Sequence, residues 1–162
     1  MYKGMGNMKD LIKKQKGFTI IEVLIVLAIA GLIILIVFLA VPALQRNSRN
    51  TQRSNDASQV GGALNECLAN RNGQMASCDT TGELQALGLD TAKLGQLTVV
   101  NVTAGAPTDP GATVTNTINV GFGSRCNADG AGVGGGSPRQ AAGLYRVEIQ
   151  GSNNGAVRCI EF

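Results

Sequence analysis

From Val23 to Leu44 the chain carries no charged side chain, and nearly every residue is apolar. A run of about 20 such residues has the length needed to cross a hydrocarbon core about 30 Å thick. The rest of the sequence cannot absorb it as a core segment. It is polar, rich in Gly, Asn and Thr, and without Trp, so it has material for only a small core, and small cores usually need reinforcement. The run is therefore expected to span a membrane, with a modest domain on one side of it.

Charge divides along the same line. Up to Gly17 there are five lysines (Lys3, Lys9, Lys13, Lys14 and Lys16) against Asp10, whereas after Gly17 nine basic residues face ten acidic ones. The basic character thus belongs to residues 1–17 and does not point to nucleic acid. A lysine-rich flank beside an apolar span reads as the cytoplasmic side, although Arg46, Arg49 and Arg53 lie just past the other end. The leader is not an ordinary secretory signal, because the apolar run is too long and the natural boundary precedes it.

Cys67, Cys78, Cys126 and Cys159 all lie beyond the span. An even number in a small, loop-rich exported region predicts two disulfides in an oxidising compartment. Three pairings are open. Cys67–Cys78, closing a short loop, and Cys126–Cys159, tying a glycine-rich loop to the last strand, are favoured. With no His and no CxxC spacing, a zinc site is not expected, nor is any other cofactor.

Residues 18–70 predict one long helix: an apolar first half (18–44) interrupted by Pro42, which should kink or loosen it, and a second half (45–70). Gln45–Asp56 is polar on all faces and predicts a solvated bridge without a packing partner. Beyond it Ala57, Val60, Leu64, Cys67 and Leu68 recur at helical spacing, predicting a face that packs on a globular head (71–162). Gly61-Gly62 should weaken that helix by about 1 kcal/mol per glycine. Thr80-Thr81-Gly82-Glu83 has the spacing of a capping box, with a short helix over Glu83–Leu87 and a turn or helix from Asp90. Strands are expected at Gln96–Thr103, Thr113–Gly121, Gly143–Gln150 and Ala156–Phe162, the last two as a hairpin, in a small antiparallel sheet. Asn127–Pro138 is glycine-rich but lacks the GK[ST] ending of a phosphate-binding loop, and reads as a flexible surface loop. The fold class is α+β.

The functional signal lies in Lys13-Lys14-Gln15-Lys16-Gly17-Phe18-Thr19-Ile20-Ile21-Glu22-Val23. Glu22 is the one charged residue between Phe18 and Gln45. It lies at the edge of the apolar segment; an ionised carboxylate inside a membrane helix costs several kcal/mol and is usually functional and paired, against the plainer reading of a hydrated residue at headgroup level. Gly17 offers a protease an unobstructed backbone. Cleavage there would expose an α-amine at Phe18, four positions from Glu22 and on the same helix face. Amine and carboxylate on neighbouring copies could then pair.

This constellation resembles the class III signal of type IV prepilins, shared by bacterial pilins, the pseudopilins of type II secretion and competence pseudopilins. The resemblance covers about the first third of the chain. It implies cleavage after Gly17 by a membrane aspartyl peptidase (prepilin peptidase), N-methylation of Phe18, and assembly directed by Glu22 neutralising a neighbour's N-terminus. It also implies an assembly platform, a homo-oligomeric filament, and a helix-loosening role for Gly31. The long helix ahead of a disulfide-tied sheet is similar to the family's plan, with Cys126–Cys159 like its C-terminal disulfide region. The leader is longer than in many pilins, and Pro42 lies three positions later than their mid-helix proline. The expected protein is a single-pass membrane precursor with its head outside, then an extracellular filament. A pseudopilin or minor pilin is the alternative within the family. A signal-anchored binding protein that never assembles explains the span but not the constellation. An enzyme is not expected, since no nucleophile has an evident base nearby. Nor is nucleic-acid contact, because Arg125, Arg139, Arg146 and Arg158 are dispersed.

Overall fold

The structure, a computed structural model, describes residues 17–162. The leader expected up to Gly17 therefore lies, but for that glycine, outside the described residues. Helix α1 is Ile20–Asn70, starting two residues later than the sequence predicts, so that Phe18 and Thr19 precede it. Through Leu44 its side chains are exposed all round, and this portion is long and apolar enough to cross a membrane with none of it buried within the chain. The helix continues through Pro42. Contacts divide the chain into two units, one ending at Val41 and the other running from Pro42 to Phe162.

Within the second unit, α1 buries Ala57, Val60, Leu64 and Cys67, with Leu68 partly buried against the core. These residues recur every three to four positions and therefore lie along one face. They share the core with Leu84, Leu97, Ile118 and Val120, all fully buried. Gly61 lies on this face for a packing reason. A Cβ there would fall 2.1 Å from the ring of Phe162, and the other side of that ring lies 3.1 Å from a Cβ built on Gly143. The C-terminal aromatic is thus seated between two glycines, one on the helix and one on the sheet.

The polar stretch Gln45–Asp56 is not the solvated bridge its composition suggests. Arg53 and Asp56 are buried, at 3% and 0% exposure. Arg49 donates through Nε and Nη2 to the two carboxylate oxygens of Glu148, at 2.7 and 2.6 Å. Asn50 exchanges a pair of bonds with the Glu148 backbone, both 2.8 Å. Arg53 Nη1 donates to the Thr115 carbonyl at 2.6 Å. Asp56 accepts from the backbone N–H groups of Gly95, Gln96 and Leu97 and from the Gln52 amide. Hydrogen bonds to most of these buried polar atoms, Arg53 Nε and the Thr115 hydroxyl excepted among the described residues, allow a polar surface to pack as an apolar one does.

After α1 a 3-10 turn (Met75–Ser77) leads to α2 (Thr81–Ala86). The capping box at its start is present: the Thr80 side chain accepts from Glu83 N, and the Thr80 backbone donates to the Glu83 carboxylate. From Asp90 the chain makes a turn, closed by Lys93 N donating to Asp90 O at 3.0 Å. Strands follow as β1 (Val99–Thr103), β2 (Thr117–Phe122), β3 (Ser124–Cys126), β4 (Val133–Gly135), β5 (Ala141–Ile149) and β6 (Ser152–Glu161). The main sheet has the order β1-β2-β5-β6, and β3 and β4 form a separate two-stranded sheet.

Three expectations are corrected here. The sheet is mixed: β2–β5 and β5–β6 are antiparallel, but β1 and β2 run parallel with Val99 opposite Thr117. Residues 104–116, about the dozen a parallel crossover requires, make the connection. Strand β1 begins later than Gln96 because the N–H groups of Gln96 and Leu97 are taken by Asp56, and β2 begins after Thr115, whose carbonyl serves Arg53. The glycine-rich segment 127–138 is ordered by the β3–β4 ladder, with Arg125 opposite Gly134, and by Cys159 N donating to Gly130 O.

The β5–β6 hairpin is tighter than a Gly151–Gly155 loop, with Ile149 paired to Ser152 and a register shift between Val147 and Ile149. The disulfides are Cys67–Cys78, joining α1 to the segment after it, and Cys126–Cys159, joining β3 to β6.

Candidate processing and assembly site

Gly17 is exposed, and a Cβ built on it meets nothing within 4 Å. Backbone approach to the Gly17–Phe18 bond is accordingly unhindered by neighbouring side chains of the described residues. Phe18 is 88% exposed and lies outside the helix. The expected sharing of a helix face by Phe18 and Glu22 is therefore corrected: helical geometry starts only at Ile20, and Phe18 sits before the cap.

Thr19 sets that boundary. Its backbone N and its Oγ1 both donate to Glu22 Oε2 at 2.8 Å, and Glu22 N donates back to Thr19 Oγ1 at 3.3 Å. This is a capping box, in which Thr and Glu three residues apart satisfy two otherwise orphaned donors of the first turn. The Glu22 carboxylate also lies where the positive end of the helix dipole favours an anion. Sequence reading placed Glu22 as the charged residue of the segment and missed Thr19. The signal was present, since Thr19-Ile20-Ile21-Glu22 has the same spacing as Thr80-Thr81-Gly82-Glu83.

The structure thus gathers Gly17, Phe18, Thr19 and Glu22 at the entry to α1. Gly31 lies farther along the apolar half with open space about it, and Pro42 is inside the same helix. The four cysteines belong to the second unit, where they brace the head.

Polar groups of the head are engaged structurally. Bonding from Arg49 holds the Glu148 carboxyl below its ordinary range, against the opposing effect of burial. Arg146 lowers the Asp109 carboxyl in the same way, donating to it at 3.0 and 2.5 Å while also donating to Asn154 O. Burial would raise Asp56, but its bonds from Gln96, Leu97, Gln52 and Gly95 outweigh that and lower it. Among the described residues no group of three His, Cys, Asp or Glu could hold a metal.

Comparison with known protein families places the prokaryotic N-terminal methylation motif at residues 12–38. That span contains the lysines Lys13, Lys14 and Lys16, Gly17, Phe18, the capping pair and Gly31. No curated protein and no solved structure matches the chain. The motif and the apolar helix fit a membrane-anchored precursor, and they point to a structural protein. With the methylation motif opening a long apolar helix, and a small disulfide-bridged sheet following it in the chain, the protein is similar to type IV pilin-like proteins.

Proposed function

We propose that the chain is a structural subunit of a type IV pilus or related filament. It is cleaved after Gly17 by prepilin peptidase, N-methylated at Phe18, and assembled through α1 by an assembly platform. The observation that carries this reading is a methylation motif at residues 12–38 continuing into a helix whose apolar side chains find no cover within the chain. Such side chains need another apolar environment, first lipid and then the bundled helices of other copies. Burial there contributes about 25 cal/mol per Å².

Glu22 sets the register in this scheme. In the unprocessed chain its carboxylate accepts from Thr19 through one oxygen. Cleavage creates a cation at Phe18, and a neighbour's amine becomes a stronger partner in a low-dielectric bundle than a neutral hydroxyl does. A misregistered subunit would leave the carboxylate buried and unpaired, a penalty of about 3–5 kcal/mol.

The test is mass spectrometry of material sheared from the cell surface, with electron microscopy of the same preparation. A chain starting at methylated Phe18 within fibres is expected. Glu22→Ala should leave the precursor abundant and membrane-bound but abolish fibres. Normal fibres from Glu22→Ala would remove the electrostatic step. A sheared protein still carrying Lys16 would favour a non-assembling anchored protein. Mature subunits confined to short or sparse structures would favour a pseudopilin or minor pilin.

A further inference from the structure

Beside the β5–β6 hairpin a cavity of about 520 Å³ is lined by Arg46, Arg53, Glu148, Ser152 and Asn153, among others. Its charge is unbalanced. Glu148 has both oxygens committed to Arg49. Among the described residues Arg46 hydrogen-bonds only to the helix carbonyl of Pro42, at 3.4 Å, and it faces Glu148 through space. Arg53 is 3% exposed and makes one bond, from Nη1 to the Thr115 carbonyl. Its Nε, together with the Thr115 hydroxyl, is buried without a hydrogen-bond partner among the described residues.

A buried guanidinium holding a spare N–H is costly unless an acceptor, preferably an anionic one, meets it. Arg46 and Arg53 are seven residues apart on α1, hence on one face two turns apart. Together they present forked donors of the kind that recognise phosphate oxygens.

The position along the chain narrows the source of that phosphate. Arg46 follows the last residue of the apolar run, Leu44, by two positions, a rise of about 3 Å, and Arg53 follows it by about 13 Å. The polar headgroup layer on each side of a bilayer is about 5–8 Å deep. Arg46 therefore falls at headgroup depth, and it lines the cavity. We propose that Arg46 and Arg53 form a phosphate-binding site on the outer side of the span, occupied by the phosphate of an anionic lipid headgroup. The lipid component rests on the membrane-anchored reading of the precursor. A bound headgroup would hold the head in a fixed relation to the membrane surface until the subunit is extracted.

The test uses the full chain in neutral detergent micelles, with arginine labelled for NMR of the Nε–Hε groups. It is titrated separately with a short-chain phosphatidylglycerol, with inorganic phosphate, and with a diacylglycerol of the same tails. The phosphatidylglycerol should shift Arg46 and Arg53 saturably, and the diacylglycerol should not. Arg46→Gln, which removes one charge-assisted contact and no tertiary bond, should weaken that affinity about tenfold; Arg158→Gln should leave it unchanged.

Equal affinity for inorganic phosphate would keep the site but overturn its assignment to lipid. Signals unmoved by either phosphate, or an unchanged affinity in Arg46→Gln, would overturn the site itself, as would signals that move only when fibres form, which would assign the cavity to an acidic neighbour subunit. A chain that remains soluble without detergent would sink the membrane reading instead, and the two failures are separately visible.

Discussion

Asp56 is fully buried in a stretch whose neighbours, Asn55 and Ser54, are exposed, and its oxygens accept four hydrogen bonds, three of them from consecutive backbone N–H groups. Asp56→Asn keeps the shape but aims an amide at donors, leaving buried N–H groups without acceptors. The expected loss is about 2–4 kcal/mol, read as a lowered denaturation midpoint with the disulfides intact. The same carboxylate, with Glu148 and Asp109, sets the pH response. All three are lowered in the folded protein. The unfolded state therefore binds protons first as pH falls. The stability they contribute is complete above their unfolded values of about 4 and is lost as pH drops through the lower folded values. The sequence contains no His, the side chain whose ordinary range lies between about pH 5 and 8. Thermal scans should accordingly give a plateau through neutral pH and a decline below about pH 4. A midpoint falling steeply between pH 7 and 5 would contradict this assignment. None of it was legible in Gln45–Asp56 as a string, because hydropathy registers that a residue is polar and not whether a partner awaits it across the fold.

Adjacent glycines on α1 make opposite predictions for one substitution. Gly62→Ala places its Cβ in open space on an exposed position, so the gain in helix propensity of up to about 1 kcal/mol should appear undiminished. Gly61→Ala drives a Cβ to 2.1 Å from the Phe162 ring. That ring cannot simply retreat, since Phe162 N is bonded to Ala141 O at 2.9 Å. Overpacking should cost about 1–3 kcal/mol net. Denaturation of Gly61→Ala, Phe162→Ala and the double variant should show coupling, with the double variant losing less than the two single losses together. Additive losses would mean that the ring and the helix do not share the space.

In the sequence both glycines read only as weak points, because the residue that needs Gly61 lies at the far end of the chain. The helix face, the capping box at Thr80 and the four principal strands were legible, since each is written in local periodicity or spacing. The parallel pairing of β1 with β2 was not: strand direction is set by the path of residues 104–116 and leaves no mark on Val99–Thr103. The small β3–β4 ladder escaped for a related reason. Glycines such as Gly134 and Gly135 have no side chains with which to declare a period of two.

Across the whole molecule, exposed and buried apolar side chains are segregated along the chain. The apolar side chains left exposed are concentrated at Phe18–Leu44, while the buried core draws on Ala57 and residues beyond it. Among the described residues, every long-range hydrogen bond from α1 to the rest of the chain starts at Arg49 or later. The described part of the methylation motif, residues 17–38, therefore lends the head none of those bonds. This division explains why the candidate site was the most legible part of the sequence. The roles proposed for Gly17, Phe18 and Glu22 rest on neighbouring positions and on an environment supplied from outside the chain, so reading them required little tertiary structure.

A chain beginning at Gln45 keeps the Arg49–Glu148 pair, the Asn50 exchange, the Asp56 bonds, the whole core and both disulfides. It should be a water-soluble monomer, with a denaturation midpoint in oxidising buffer close to that of the full chain in micelles. Extending it back to Gly31 adds twelve exposed Ala, Val, Ile, Leu and Phe residues and should restore the need for detergent. Light scattering across such a truncation series locates the transition. If the Gln45 chain aggregates, or loses the cooperative unfolding that the intact core predicts, then the apolar half supports the head through contacts beyond those described, and the separation of assembly helix from folded domain fails.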